Sequence, residues 1–184
     1  MIQTIIKKTA QSLDKENIPY MIIGGQAVLV YGRPRLTRDI DITLGVDTDK
    51  LDSIEKICKS LKLKLLVENP KDFAQTTKVI PAEEPESKIR VDFIFSFTPY
   101  EAQAIKNARQ ITIDDYPVKF ASCEDVIIHK MVAGRAIDEE DIKSILAKNS
   151  KTIDLRYIRN WLSEFAKIEE YSGILERFNI LLKE

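Results

Sequence analysis

Residues 24–43 read GGQAVLVYGRPRLTRDIDIT. A Gly-Gly pair closes an apolar run, a short helix-like stretch follows, and two aspartates stand one residue apart. In an extended strand, side chains two apart share a face. Arg38, Ile40, Ile42 and Leu44 are thereby expected to face the interior, and Thr37, Asp39, Asp41 and Thr43 to point together the other way. Two carboxylates on one small volume repel, which raises one pKa unless a cation sits between them. Hard oxygen donors of this kind suit Mg²⁺, which keeps waters and takes phosphate oxygens. A phosphate-handling metal site is the first hypothesis.

Upstream, Ile2, Ile5, Ile6, Ala10 and Leu13 recur at helical spacing, and the spacing predicts a helix over Ile2–Glu16 that ends before Asn17-Ile18-Pro19. Tyr20–Ile23 reads as a buried strand, broken by Gly24-Gly25, with a short helix over Gln26–Tyr31 starting at the glycines. Downstream of the Asp39–Leu44 strand, a helix is expected over Thr48–Leu61 and a strand over Lys64–Val67. Thr76–Ile80 and Lys88–Phe95 read as a strand pair joined by the polar stretch Pro81–Ser87. In the second of these, Asp92 lies on the more polar face of an apolar strand, a third available carboxylate.

After a helix near Pro99–Ala108, Asp114-Asp115 suggests a hairpin between Gln110–Ile113 and Val118–Ala121. The rest reads as helix. Ser122 and Asp125 match a capping box opening a helix to Gly134, and helices follow near Asp138–Lys148, Asp154–Lys167 and Glu169–Leu182. A mixed α/β part, residues 1–121, is therefore expected to carry a C-terminal helical extension, residues 122–184, packed on it as one compact unit.

The chain has 184 residues and 44% hydrophobic content, enough for a core. Its 28 Lys and Arg against 29 Asp and Glu leave a formal net charge of -1, so no global basic field advertises nucleic acid binding. Cys58 and Cys123 are far apart with no Cys/His cluster, which disfavours a zinc site or a disulfide framework and makes a reducing cytoplasm the simpler expectation. Lys7 and Lys8 interrupt any N-terminal run long enough for a signal peptide or membrane span.

With a glycine pair, a DxD strand and a later lone aspartate in strand context, the chain resembles the nucleotidyltransferase superfamily that includes DNA polymerase β. The stretch GGQAVLVYGRPRLTRDIDI is similar to the form found in abortive-infection toxins and some antibiotic nucleotidyltransferases, and SCEDVIIHKMVAGRAIDEEDIKSIL resembles the companion motif of the toxin type. The resemblance spans Tyr20–Leu146. It implies a mixed sheet flanked by helices and metal-dependent transfer of a nucleoside monophosphate from an NTP to an RNA, protein or small-molecule acceptor. One departure is Gly24-Gly25 where many members have Gly-Ser, which removes a hydroxyl able to contact a phosphate.

On that resemblance, Asp39, Asp41 and Asp92 are the expected metal ligands (Mg²⁺, with Mn²⁺ as alternative) and catalytic residues. Gly24, Gly25, Arg35, Thr37 and Lys130 are the expected nucleotide contacts, and an antitoxin is the implied protein partner. Arg33 and Arg38 add positive charge to the same stretch. Lys130 lies on the buried side of its helix, where a lysine needs a partner; its structural alternative is an ion pair with Asp138 or Asp141. A structural role is expected for His129, and a core or interface role for Trp161, Phe165 and Tyr171. Two other functions compete: a catalytically silent nucleotide- or partner-binding module, and a phosphatase reading of Asp39-Ile40-Asp41-Ile42-Thr43 as DxDxT. The latter leaves Gly24-Gly25 and Asp92 unexplained and lacks the preceding apolar strand.

Overall fold

The computed structural model describes residues 1–96 and 98–183. Seven strands form one mixed sheet in the order β3-β4-β5-β2-β1-β7-β6. These are β1 (Tyr20–Ile23), β2 (Asp39–Leu44), β3 (Lys64–Leu65), β4 (Val79–Glu83), β5 (Arg90–Phe95), β6 (Arg109–Ile113) and β7 (Tyr116–Phe120). The helices are α1 (Ile2–Lys15), α2 (Gly24–Tyr31), α3 (Leu51–Ser60), α4 (Pro70–Thr77), α5 (Pro99–Asn107), α6 (Cys123–Ala133), α7 (Ala136–Asn149), α8 (Leu155–Phe165) and α9 (Ile174–Leu181). The chain divides into two compact units: residues 1–26 with 37–120, and residues 27–36 with 121–184. The contiguous division expected from the sequence did not give residues 27–36 to the helical unit.

In the first unit, β2 lies between β1, antiparallel, and β5, parallel. Its apolar alternates Ile40, Ile42 and Leu44 are buried with Val91, Phe93 and Phe95 of β5. Burial of six such side chains contributes roughly 1.5–3 kcal/mol each against the exposed state, an upper estimate. β1, apolar throughout, is buried along its length. α1 buries Ile5, Ile6, Ala10 and Leu13 and packs against α3, β6 and β7.

Several elements differ from expectation. Residues 70–77 form α4, not the start of a strand at Thr76: Asn69 caps it by accepting from the Asp72 amide, and Pro70 stands in the first turn, where its missing N–H costs nothing. β4 runs through Pro81, expected as part of a joining loop. The Pro81 carbonyl accepts from Leu66 at 2.9 Å, so the edge lacking an N–H faces the point where β3 has already ended. β3 itself is shorter than Lys64–Val67, and the final helix starts only at Ile174, after a 3₁₀ turn over Glu169–Tyr171. Arg38, expected inward, precedes the strand and is exposed, whereas Thr43, expected outward, is fully buried.

The second unit is helical. α6 packs against α7, α8 and α9, with Val126, Ile127, Met131, Ile142, Ile158 and Phe178 buried. The Ser122 hydroxyl caps α6 by accepting from the Asp125 amide at 3.1 Å, and it donates to Asp125 Oδ2 at 2.6 Å. The Tyr157 hydroxyl donates to Asp125 Oδ1 at 2.9 Å, tying α8 to that cap. Phe165 and Tyr171 stack edge to face at 6.2 Å.

His129, on α6, has Nε2 shut off from solvent, and burial pushes its pKa down to about 4. The unfolded chain then binds a proton near pH 6.5 that the folded chain refuses. Stability should fall as pH drops from 6.5 towards 4, by an amount on the order of 2 kcal/mol. Urea midpoints across this range should fall in the wild type and flatten in His129→Asn.

Candidate functional site

The parallel register of β2 and β5 sets Asp41 beside Asp92 and Asp39 beside Arg90. Because these residues alternate with Ile40, Val91 and Phe93, which are fully buried, all four charged side chains leave the same face of the sheet. Asp39 is exposed; Asp41 and Asp92 are half-buried. The Arg90 Nε donates to Asp92 Oδ1 at 2.7 Å. Its guanidinium is held above its ordinary range by that hydrogen bond, against partial burial, and further by the charges of Asp92, Asp39 and Asp41.

The glycine pair closes in on the same carboxylates. Gly24 adopts φ +62 at the start of α2, and a Cβ there would collide with Asp41 Oδ2. A Cβ on Gly25 would collide with Thr37 Oγ1. Neither position has room for a side chain, and Gly24 also has the left-handed backbone that glycine adopts without penalty. The first turn of α2 is fixed to the start of β2 by Gln26 Nε2, which donates to the Asp39 carbonyl at 3.2 Å. Asp41 thus lies against the amide-bearing N-terminus of a helix, where negative charge is favoured.

Oxygen donors on Asp39, Asp41 and Asp92 suit a hard divalent ion, and the absence of side chains on the glycines is what lets Asp41 and Thr37 approach the turn so closely. Among the described residues, no three His, Cys, Asp or Glu side chains are already gathered into a set that could hold a metal ion. The backbone therefore brings the three aspartates to one face, while their carboxylate oxygens do not converge in this conformation.

The other expected nucleotide contacts, Arg35 and Lys130, belong to the helical unit, and both meet Asp141. Arg35 makes a two-pronged ion pair with it, Nε to Oδ1 at 2.8 Å and Nη2 to Oδ2 at 2.9 Å. The Lys130 side chain is 5% exposed, and its Nζ reaches Asp141 Oδ2 at 2.9 Å and Asp138 Oδ1 at 2.6 Å. Arg135, preceding α7, donates to Asp138 Oδ2 from Nε at 2.7 Å and from its backbone amide at 3.1 Å. Burial pushes both carboxyls up, but hydrogen bonds outweigh it and draw both below the ordinary carboxylate range: from Arg135 and Lys130 on Asp138, from Arg35 and Lys130 on Asp141. The cluster's contribution to stability is therefore full above about pH 4 and is lost as pH falls through the depressed values. In this conformation Lys130 and Arg35 are committed to carboxylates. Arg33 is exposed, its amide donating to Ser144 Oγ at 3.2 Å.

Arg90 is a member of this charged face that is not among the expected site residues. Its position two residues before Asp92 on an alternating strand was the available signal.

A family profile described as "Nucleotidyl transferase of unknown function (DUF2204)" matches residues 2–180. The chain is a member of this nucleotidyl transferase family. Several solved structures share the fold. The antibiotic-resistance factor ANT(2'')-Ia is 19% identical, with 93% of this chain and 96% of that one covered at a TM-score of 0.62. An antigenic nucleotidyltransferase-like protein from Paracoccidioides brasiliensis is 21% identical, with 95% and 91% covered at 0.56. The lincosamide antibiotic adenylyltransferase LnuA, in a lincomycin-bound structure, is 17% identical, with 72% and 89% covered at 0.51. Among curated protein sequences none matches. No described helix is long and apolar enough to cross a membrane.

Proposed function

We propose that this family member transfers a nucleoside monophosphate from an NTP to an acceptor hydroxyl in a divalent-metal-dependent reaction. The observation that carries the proposal is the register pairing Asp41 with Asp92, with Asp39 on the same face and Gly24 pressed against the Asp41 carboxylate. Asp39 and Asp41 would hold Mg²⁺, or Mn²⁺, on the triphosphate, and Asp92 would complete the metal-binding set on the acceptor side and take the hydroxyl's proton. The ion would supply charge neutralisation at the α-phosphorus as pyrophosphate leaves. Gly24, Gly25 and Thr37 are assigned to the phosphates, since they surround the N-terminus of α2, whose amides favour an anion. For Lys130 or Arg35 to bind the triphosphate, each would have to exchange an aspartate for a phosphate. Small hydroxylated molecules are the first acceptors to test, because LnuA, of the same fold, is a lincosamide adenylyltransferase.

Calorimetry tests the binding half of the proposal. NTP should bind more tightly than NMP, and only with Mg²⁺ or Mn²⁺ present. Equal, metal-independent binding of the two nucleotides, or no binding, would favour a silent module of the same fold.

A further inference from the structure

Arg90 has no part in the transfer chemistry assigned above, yet it completes a two-by-two block of charges. In the parallel register it stands opposite Asp39, two residues from Asp92, and all four side chains share one face. Its Nε holds Asp92 Oδ1 at 2.7 Å, with the arginine side chain 49% exposed and that of Asp92 17%. The oxygen that Arg90 occupies belongs to the carboxylate assigned to complete the metal site. A guanidinium and a divalent ion repel and cannot both take the same lone pair, whereas a half-exposed arginine stem is long enough to swing away.

We propose that Arg90 is a built-in counter-ion of the carboxylate site: it neutralises the aspartates when no metal is bound and competes with the metal for Asp92. The proposal rests on the assignment of Asp39, Asp41 and Asp92 as the metal-binding set. Its basis is the Arg90–Asp92 contact itself, which occupies one oxygen of a carboxylate in the assigned set. It also gives Arg90 a positioning role, setting how much metal is needed before Asp92 is released. An ordinary salt bridge this exposed would contribute little and would be indifferent to metal.

Direct Mn²⁺ binding to the whole protein without nucleotide, by electron paramagnetic resonance, tests the competition. Arg90→Gln should bind Mn²⁺ about tenfold more tightly than wild type, the size expected from removing a unit charge beside a divalent ion at a water-exposed site. Arg90→Lys, which keeps the charge and loses the fork, should fall between the two. Melting without divalent ion should occur at a lower temperature in Arg90→Gln, and the gain on adding Mn²⁺ should be larger. In an Asp92→Asn background most of the affinity gain should vanish. Mn²⁺ binding by wild type with equal or weaker binding by Arg90→Gln would overturn the counter-ion role alone, as would a gain undiminished by Asp92→Asn. Binding of Mn²⁺ by neither protein would overturn both this role and the metal assignment.

Discussion

Asp41→Asn is expected to lower nucleotidyl transfer by about 10³-fold or more while the protein stays folded. Asparagine keeps the size and hydrogen-bonding reach of the side chain, so the close fit against Gly24 survives. What is lost is the charge. Of the three aspartates, Asp41 is the one whose carboxylate lies against Gly24, and its register partner on the neighbouring strand is Asp92. If Asp41 anchors the metal on the triphosphate together with Asp39, one carboxylate alone leaves the ion without half of its protein charge. Single-turnover rates with a labelled NTP, alongside circular dichroism of the variant, check both halves. Asp92→Asn should slow transfer comparably yet retain more metal–NTP binding, since its assigned work lies on the acceptor side.

Lys130→Ala is expected to cost about 3 kcal/mol of stability, because it strips the ammonium from two buried carboxylates. Asp138 is fully buried and Asp141 4% exposed, so neither can recover its solvation. The loss is held to the low end of the range for a broken buried pair because Arg135 and Arg35 remain. For a chain of this length the melting temperature should drop by roughly 6–12 °C. Differential scanning calorimetry at pH 7 measures this directly. NTP titration of the folded variant then separates the two roles of Lys130: unchanged affinity leaves it a purely structural cation, and weakened affinity gives it a second role at the triphosphate.

The parts legible in the sequence were those written locally. Alternation of Ile40, Ile42 and Leu44 with the aspartates identified β2 and its buried face, and the same period in 88–95 put Asp92 on the polar side. The alternation was carried one residue too far, to Arg38, because periodicity alone does not say where a strand begins. α4 was missed although Asn69-Pro70 and Asp72 spell a helix start; the β-branched residues that follow, Thr76, Thr77 and Val79, read more strongly as strand. Pro81 argued against a strand whose one permissive edge is set by the length of β3, a non-local fact. Arg35 was singled out by its motif, but its partner Asp141 lies 106 residues away, and no spacing rule reaches that far. The grouping of residues 27–36 with the C-terminal helices is likewise tertiary: it depends on contacts such as Asn149 Nδ2 donating to the Tyr31 carbonyl at 2.8 Å.

The most direct test of the central claim is incubation of wild type and Asp41→Asn with each α-labelled NTP and Mg²⁺ in the presence of cell extract or a panel of hydroxylated small molecules. Label should move to an acceptor with wild type only, should require the metal, and should be accompanied by pyrophosphate. Transfer at equal rates by both proteins, or in the presence of a chelator, would contradict the assignment of Asp39, Asp41 and Asp92 as the metal-dependent centre.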